Sequence, residues 1–174
     1  RQVRLANPET SIEVLISDLN GREADIRTVV EAQPEILNHN VETVPRLQRP
    51  VRRRARWDRS VSVLTTGRRV ATEIGHDEMV TKTGMMLGLG ESWDEIQEAM
   101  RLLRDADVDV LTIGQYLRPS RQHLPLVKYY TPAEFMTLRR LGLEMGFRHV
   151  QSGPLVRSSY HAAEQVPDHP SAVA

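Results

Sequence analysis

Hydrophobic and polar positions change period block by block along this chain. Residues 11–17 are rich in β-branched side chains and partly alternate, which predicts a strand. Asn20-Gly21 follows as turn chemistry, since both residues accept positive φ cheaply. Residues 22–32 carry Ile26, Val29 and Val30 at helical spacing, and Pro34 stops that helix. Residues 35–42 predict a second strand with an unusually polar end. Residues 56–73 predict a helix with Trp57, Val61 and Leu64 facing inward. Residues 81–89 form an almost unbroken small-apolar run, interrupted by Lys82, as expected of a strand buried on both faces.

Ser92 and Glu95 then make a capping box, with Ile96, Ala99, Met100 and Leu103 on the buried face of the helix it opens. Residues 110–117 predict a fourth strand. Thr131-Pro132-Ala133-Glu134 starts another helix, with Phe135, Leu138, Leu141 and Met145 as its apolar stripe and Gly146 as its C′ residue. Residues 149–153 predict a last strand. Such alternation predicts an α/β fold with a parallel sheet and right-handed crossovers. Four βα units amount to half or two-thirds of a barrel, so the expected fold is a partial parallel (β/α) barrel. An open doubly wound sheet fits the alternation too, but no G-x-G-x-x-G follows a first strand. Residues 1–162 read as one unit and residues 163–174 as a disordered tail.

Composition narrows the chemistry. The 23 basic and 23 acidic residues cancel, so neither a nucleic-acid nor a membrane partner is implied. No apolar run is long enough to span a bilayer and no signal-peptide pattern is present, so a cytoplasmic location is expected, or an organelle matrix in a eukaryote. Cysteine is absent, which excludes disulfides and thiolate metal sites within the chain. The first residue is Arg1 rather than Met, as expected of a fragment. Residues 46–59 hold seven arginines and one acid. A run like this suits nucleic acid or an acidic partner. With Trp57 as its single aromatic and no helical stripe, it reads more simply as a solvated loop and helix start.

Three features carry candidate chemistry. Gly88 and Gly90 lie where a strand's carboxyl end meets a helix N-terminus. They are either the geometry of a tight turn or a place where backbone N–H groups meet a ligand. Asn38, Asn40 and Glu42 share one strand face, with His39 on the other, so that face either lines something polar or is a solvated strand end. Lys82 is one of two lysines in the chain and reads as a strand-end residue; in an aldolase-like barrel enzyme it would be the Schiff-base candidate.

Several stretches resemble the lipoyl synthases. Gly84-x-Met86-x-Gly88-x-x-Glu91 matches the G-x-I-x-G-x-x-E pattern of radical S-adenosylmethionine enzymes, with Met for Ile. Thr81-Lys82-Thr83-Gly84-Met85-Met86-Leu87-Gly88-Leu89-Gly90-Glu91 and Asn38-His39-Asn40-Val41-Glu42 are close to that family. So are Gly114-Gln115-Tyr116-Leu117-Arg118-Pro119-Ser120 and Gly153-Pro154-Leu155-Val156-Arg157-Ser158-Ser159-Tyr160-His161-Ala162. The likeness runs from about residue 11 to residue 162.

It implies the C-terminal part of a (β/α)6 barrel whose complete form binds S-adenosylmethionine and two 4Fe–4S clusters. The activity implied is insertion of two sulfur atoms into the octanoyl chain on a carrier-protein lysine, with octanoylated lipoyl-carrier domains or glycine-cleavage H protein as partners. Both family cysteine motifs, Cys-x3-Cys-x2-Cys and Cys-x4-Cys-x5-Cys, are missing here, so no cluster is expected on this chain alone and the fragment by itself is expected to be inactive. The resemblance implies Asn38, Asn40, Glu42, Lys82, Gly84, Met86, Gly88 and Gln115 around S-adenosylmethionine. It implies Ser159 as an oxygen ligand to a cluster iron. A non-catalytic remnant or binding module is the alternative.

Overall fold

The structure is a computed structural model and describes residues 1–158 of the 174. Five strands form one sheet in the order β1-β2-β3-β4-β5: Glu13–Leu15, Ile36–Asn38, Val80–Leu87, Val110–Gln115 and His149–Gly153. Every adjacent pair is parallel. Sequential order with helical crossovers puts the helices on one face and leaves the other concave, which is the partial barrel expected from the alternation.

The helices are α1 (Gln2–Ala6), α2 (Glu23–Val30), α3 (Gln48–Val51), α4 (Trp57–Glu73), α5 (Trp93–Asp105) and α6 (Pro132–Glu144). Leu37, Met85, Leu87, Leu111, Ile113 and Val150 meet them on the outer face of the sheet. Ile36, Val80 and Val110 form a separate cluster made of strand residues alone, on the inner face. Each buried aliphatic side chain contributes about 1.5–3 kcal/mol of transfer free energy, and the outer-face clusters hold most of them.

Both expected capping boxes are formed. The Glu95 N–H donates to Ser92 Oγ at 3.2 Å while Ser92 N–H donates to the Glu95 carboxylate at 2.8 Å. Thr131 and Glu134 repeat the arrangement at α6. Leu19, Asn20 and Gly21 all have positive φ, as the turn chemistry requires, and Gly146 does so after α6.

Four elements differ from the sequence expectation. Helix α1 and the short α3 are additional, the second inside the arginine run. Strand β1 is trimmed to three residues. The second strand ends at Asn38 instead of running to residue 42, because the backbone bulges there. The His39 N–H donates to the Lys82 carbonyl at 3.0 Å and the Glu42 N–H to the Gly84 carbonyl at 2.9 Å. Three residues on one side therefore span two on the other, a one-residue bulge. Among the described residues no helix is long and apolar enough to cross a membrane.

Candidate functional site

The bulge builds the site. It carries Asn40 and Glu42 past the end of β2 to the carboxyl edge of the sheet. Glu42 adopts φ +70°, a left-handed conformation that costs a non-glycine residue roughly 1–2 kcal/mol. Neighbouring backbone bonds hold it there, since Met86 N–H donates to the Glu42 carbonyl at 2.8 Å. Beside these residues lies a cavity of about 450 Å³. Asn40, Glu42, Gly84, Met86, Thr112, Gly114 and Gln115 form its floor and walls. Residues 154–158 and the pair Leu117 and Pro119 form its rim.

Gly84 is needed for this arrangement. A Cβ there would lie 2.6 Å from Thr112 Oγ1 and 3.0 Å from Asn40 Oδ1. The Asn40 amide occupies the room that a side chain at residue 84 would fill. Its nitrogen bonds to Glu42, and its Oδ1 is buried with no hydrogen-bond partner among the described residues. A buried, unpartnered amide oxygen costs about 1–3 kcal/mol and leaves an acceptor free for a ligand donor. Burial raises the Glu42 carboxyl above the ordinary carboxylate range, while Arg52 and the Asn40 amide pull it back. Arg52 stands 4.0 Å from that carboxylate and donates to the Asn40 carbonyl at 3.3 Å.

The eight residues implied as cofactor-binding separate into two groups. Asn40, Glu42, Gly84, Met86 and Gln115 line the cavity. Asn38, Lys82 and Gly88 are not among its lining residues. Asn38 donates to Glu13 Oε1 at 2.6 Å, and Lys82, fully buried, donates to Glu13 Oε2 at 2.9 Å. Lys82 is the third residue of the eight in β3, so the strand-end placement is corrected, and its enclosure removes the basis for the Schiff-base alternative.

Gly88 has φ +113°, and a Cβ there would run into the Gln115 amide and the Lys128 carbonyl. The backbone N–H groups of Gly88 and Leu89 are taken by the Glu91 carboxylate at 2.6 and 2.9 Å. The glycine junction is therefore a self-satisfied turn, the plainer of the two sequence readings. Gln115 lines the cavity and also fastens the β4–α6 loop. Its amide nitrogen donates to the carbonyls of Leu87 and Lys128, and its oxygen accepts from the Tyr130 N–H at 2.9 Å. Ser159 lies outside the described residues, as does the tail expected over residues 163–174.

His39 faces away from the cavity, as strand alternation requires. Its Nδ1 pairs with the Ile16 carbonyl at 2.9 Å and its Nε2 with Ser60 Oγ at 3.1 Å, and burial pulls its pKa down. It is a neutral strut between sheet and α4. Sequence reasoning missed Thr112 and Arg52 as neighbours of Asn40 and Glu42. Arg52 was hidden among like residues. It also missed that residue 156 folds over Gly114, where a Cβ would strike the Val156 carbonyl.

The donor set fits one of the implied groups and not the other. A free amide oxygen, a carboxylate, a thioether and a glycine floor suit a polar nucleoside with a flat base. An iron–sulfur cluster needs thiolates. The sequence has no cysteine, and among the described residues no group of three or more His, Asp or Glu is placed to hold a metal.

In class, then, this is a partial parallel β/α barrel with a polar cavity at the carboxyl edge of its strands, where such folds place their ligands. No family model matches the chain. Individual relatives do. A lipoyl synthase from Bacillus cytotoxicus is 52% identical over 166 residues, 95% of this chain and 54% of the relative. One from Koribacter versatilis is 54% identical over 164 residues, 94% of this chain and 52% of the relative. The chain is homologous to the lipoyl synthases along nearly its whole length, and spans about half the length of the relatives it matches. A radical S-adenosylmethionine methyltransferase from Kitasatospora setae, solved with cobalamin and a 4Fe–4S cluster, overlays on 64% of this chain and 22% of its own, at a TM-score of 0.46 and 13% identity.

Proposed function

We propose that this chain is the S-adenosylmethionine-binding part of a lipoyl synthase, which in complete form inserts two sulfur atoms into an octanoyl chain carried on a protein lysine. The observation that carries the reading is the identity of more than half, along almost the entire chain, to proteins of that name. The cavity supports it. Asn40 and Glu42 line it and offer oxygen acceptors of the kind ribose hydroxyls need. Gly84 leaves the room that the Asn40 amide fills, and the Met86 thioether offers the base an apolar contact. Gln115 lines the cavity while fastening the β4–α6 loop beside it.

S-adenosylmethionine supplies the hydrogen-abstracting reagent of this chemistry. A sulfur-donating cluster would need thiolate ligands and this sequence offers none, so no step through a cluster is assigned to this chain. An octanoylated carrier domain is the protein substrate in this reading.

Isothermal titration of the full chain with S-adenosylhomocysteine tests the site without requiring a cluster. One-to-one binding that Asn40→Ala weakens about tenfold is expected, as for loss of one buried hydrogen bond to a polar ligand. No heat from the unsubstituted chain at millimolar ligand would reject the site and favour a non-catalytic binding module.

A further inference from the structure

Charge is divided between the two edges of the sheet. Because the strands are parallel, loops 39–56, 88–92, 116–131 and 154–158 all stand at the carboxyl edge, around the cavity. Six arginines in three of these loops, Arg49, Arg53, Arg54, Arg118, Arg121 and Arg157, are exposed and have no carboxylate partner among the described residues. At the opposite edge the exposed groups without an ion pair among the described residues are Glu31, Asp77, Glu78 and Asp105 with Arg1 and Arg148, while one such acid, Asp94 at the start of α5, stands at the carboxyl edge. Most arginines on α2, α4, α5 and α6, by contrast, are neutralised locally, as in Arg27 with Glu73, Arg69 with Glu23 and Arg140 with Glu144, with Arg139 the exception. The chain as a whole is formally neutral, so the cationic rim is a local concentration.

The same rim has an apolar lip. Leu117 and Leu155 line the cavity mouth while 57% and 78% exposed. A nucleic-acid strand would use stacked aromatic side chains here, and the one exposed aromatic of these loops is Tyr129. Guanidinium groups without carboxylate partners around an alkyl-lined mouth match an acidic protein surface that presents an alkyl arm.

We propose that this arginine rim docks an acidic carrier domain, whose acylated lysine enters the cavity across Leu117 and Leu155. The proposal rests on the carrier-protein reading above and adds the surface and the charge of the partner.

The test measures affinity of the full chain for an octanoylated lipoyl-type carrier domain, by biolayer interferometry at two salt concentrations. Arg53→Glu with Arg54→Glu is expected to weaken binding about tenfold at low salt and to flatten its salt dependence. Arg148→Glu, at the far edge, is expected to leave binding unchanged. Reversing carrier acids to lysine is expected to restore affinity for the Arg53→Glu, Arg54→Glu variant, which a misfolded variant would not show. Undetectable carrier binding by the unsubstituted chain overturns the proposal. So does equal loss in Arg148→Glu, unchanged affinity in the rim variant, or a single-stranded RNA oligonucleotide bound more tightly than the carrier. S-adenosylhomocysteine affinity, read in parallel, is expected to be the same in all variants. If it is absent while rim-dependent carrier binding persists, the cofactor reading fails and the docking surface stands.

Discussion

Two polar clusters lie one layer apart on the same concave face, and both draw on the stretch from Asn38 to Glu42. The lower one is closed. Glu13 accepts from Lys82 and from Asn38, and Lys82 has no contact with solvent. The upper one is open. Asn40 Oδ1 has no partner, Glu42 sits in a left-handed backbone with a raised pKa, and Arg52 reaches it only at 4.0 Å. Residue type does not separate the two clusters, since each has an Asn, a Glu and a cation, and neither does the amide oxygen, since Asn38 Oδ1 and Asn40 Oδ1 both lack a hydrogen-bond partner among the described residues. The ion pair and the cavity separate them. A buried ion pair with its bonds made is part of the scaffold, whereas a strained carboxylate and an amide that line a cavity are open to a ligand.

The largest expected effect is on the closed cluster. Lys82→Met strands the Glu13 carboxylate in the interior and is expected to cost about 3 kcal/mol in denaturant unfolding, the low end for breaking a buried pair, because Glu13 keeps some access to water. Adding Glu13→Leu should recover much of that loss. If the double variant is as unstable as the single, the pair is not the scaffold element described.

Gly84→Ala comes next and tests the boundary between the clusters. The new Cβ meets Thr112 Oγ1 and Asn40 Oδ1, an overpacking cost of about 1–3 kcal/mol with loss of S-adenosylhomocysteine binding. Thr112→Ala in the same chain should restore stability and leave binding absent. Recovery of both would mean that Asn40 is not displaced.

Glu42→Gln sharpens the contrast from the other side. The folded-state pKa of Glu42 lies above its unfolded value, so the stability it contributes is present at low pH and lost as pH rises through the folded pKa. The amide removes that penalty. The variant should melt slightly higher than the parent at pH 7 and equally at pH 4, while binding S-adenosylhomocysteine less well. A lower melting temperature at pH 7 would place Glu42 with the scaffold.

The smallest effect concerns neither cluster and serves as the baseline. Glu95 and Glu134 are each held down to about 2, chiefly by Arg46 and Lys128 respectively and then by the capped backbone. Their contribution is present above the usual carboxylate range and fades as pH falls from about 4.5 to about 2. Glu95→Gln and Glu134→Gln should flatten the acid limb of the melting curve there and leave neutral pH nearly unchanged, since both pairs are exposed.

Much of the scaffold was legible because local rules decide it. The apolar run over residues 81–89 has no polar face, so it reads as a doubly covered strand. Ser92 with Glu95 and Thr131 with Glu134 name their helix starts by side-chain chemistry alone. Asn20-Gly21 names its turn. Strand alternation also placed Asn40 and Glu42 on the face opposite His39, as observed.

The site itself was only half legible. Asn38 and Asn40 are the same residue type two positions apart, yet one donates to Glu13 from β1 away from the cavity and the other lines the cavity above Gly84 from β3. The glycine junction looked equally suited to a ligand until Glu91 was seen to occupy its N–H groups. Lys82 looked like a strand-end nucleophile because its partner lies 69 positions away along the chain.

What the sequence by itself determined about this protein is the order and kind of its elements, which hydrophobic period and capping chemistry set within a few residues of chain. Which polar side chains are spent on one another and which remain available was decided only by the tertiary structure. Hydrogen-bond satisfaction depends on contacts between strands remote in sequence, and the bulge at residues 39–42 and the fold-back of residue 156 over Gly114 arise only once the strands are side by side.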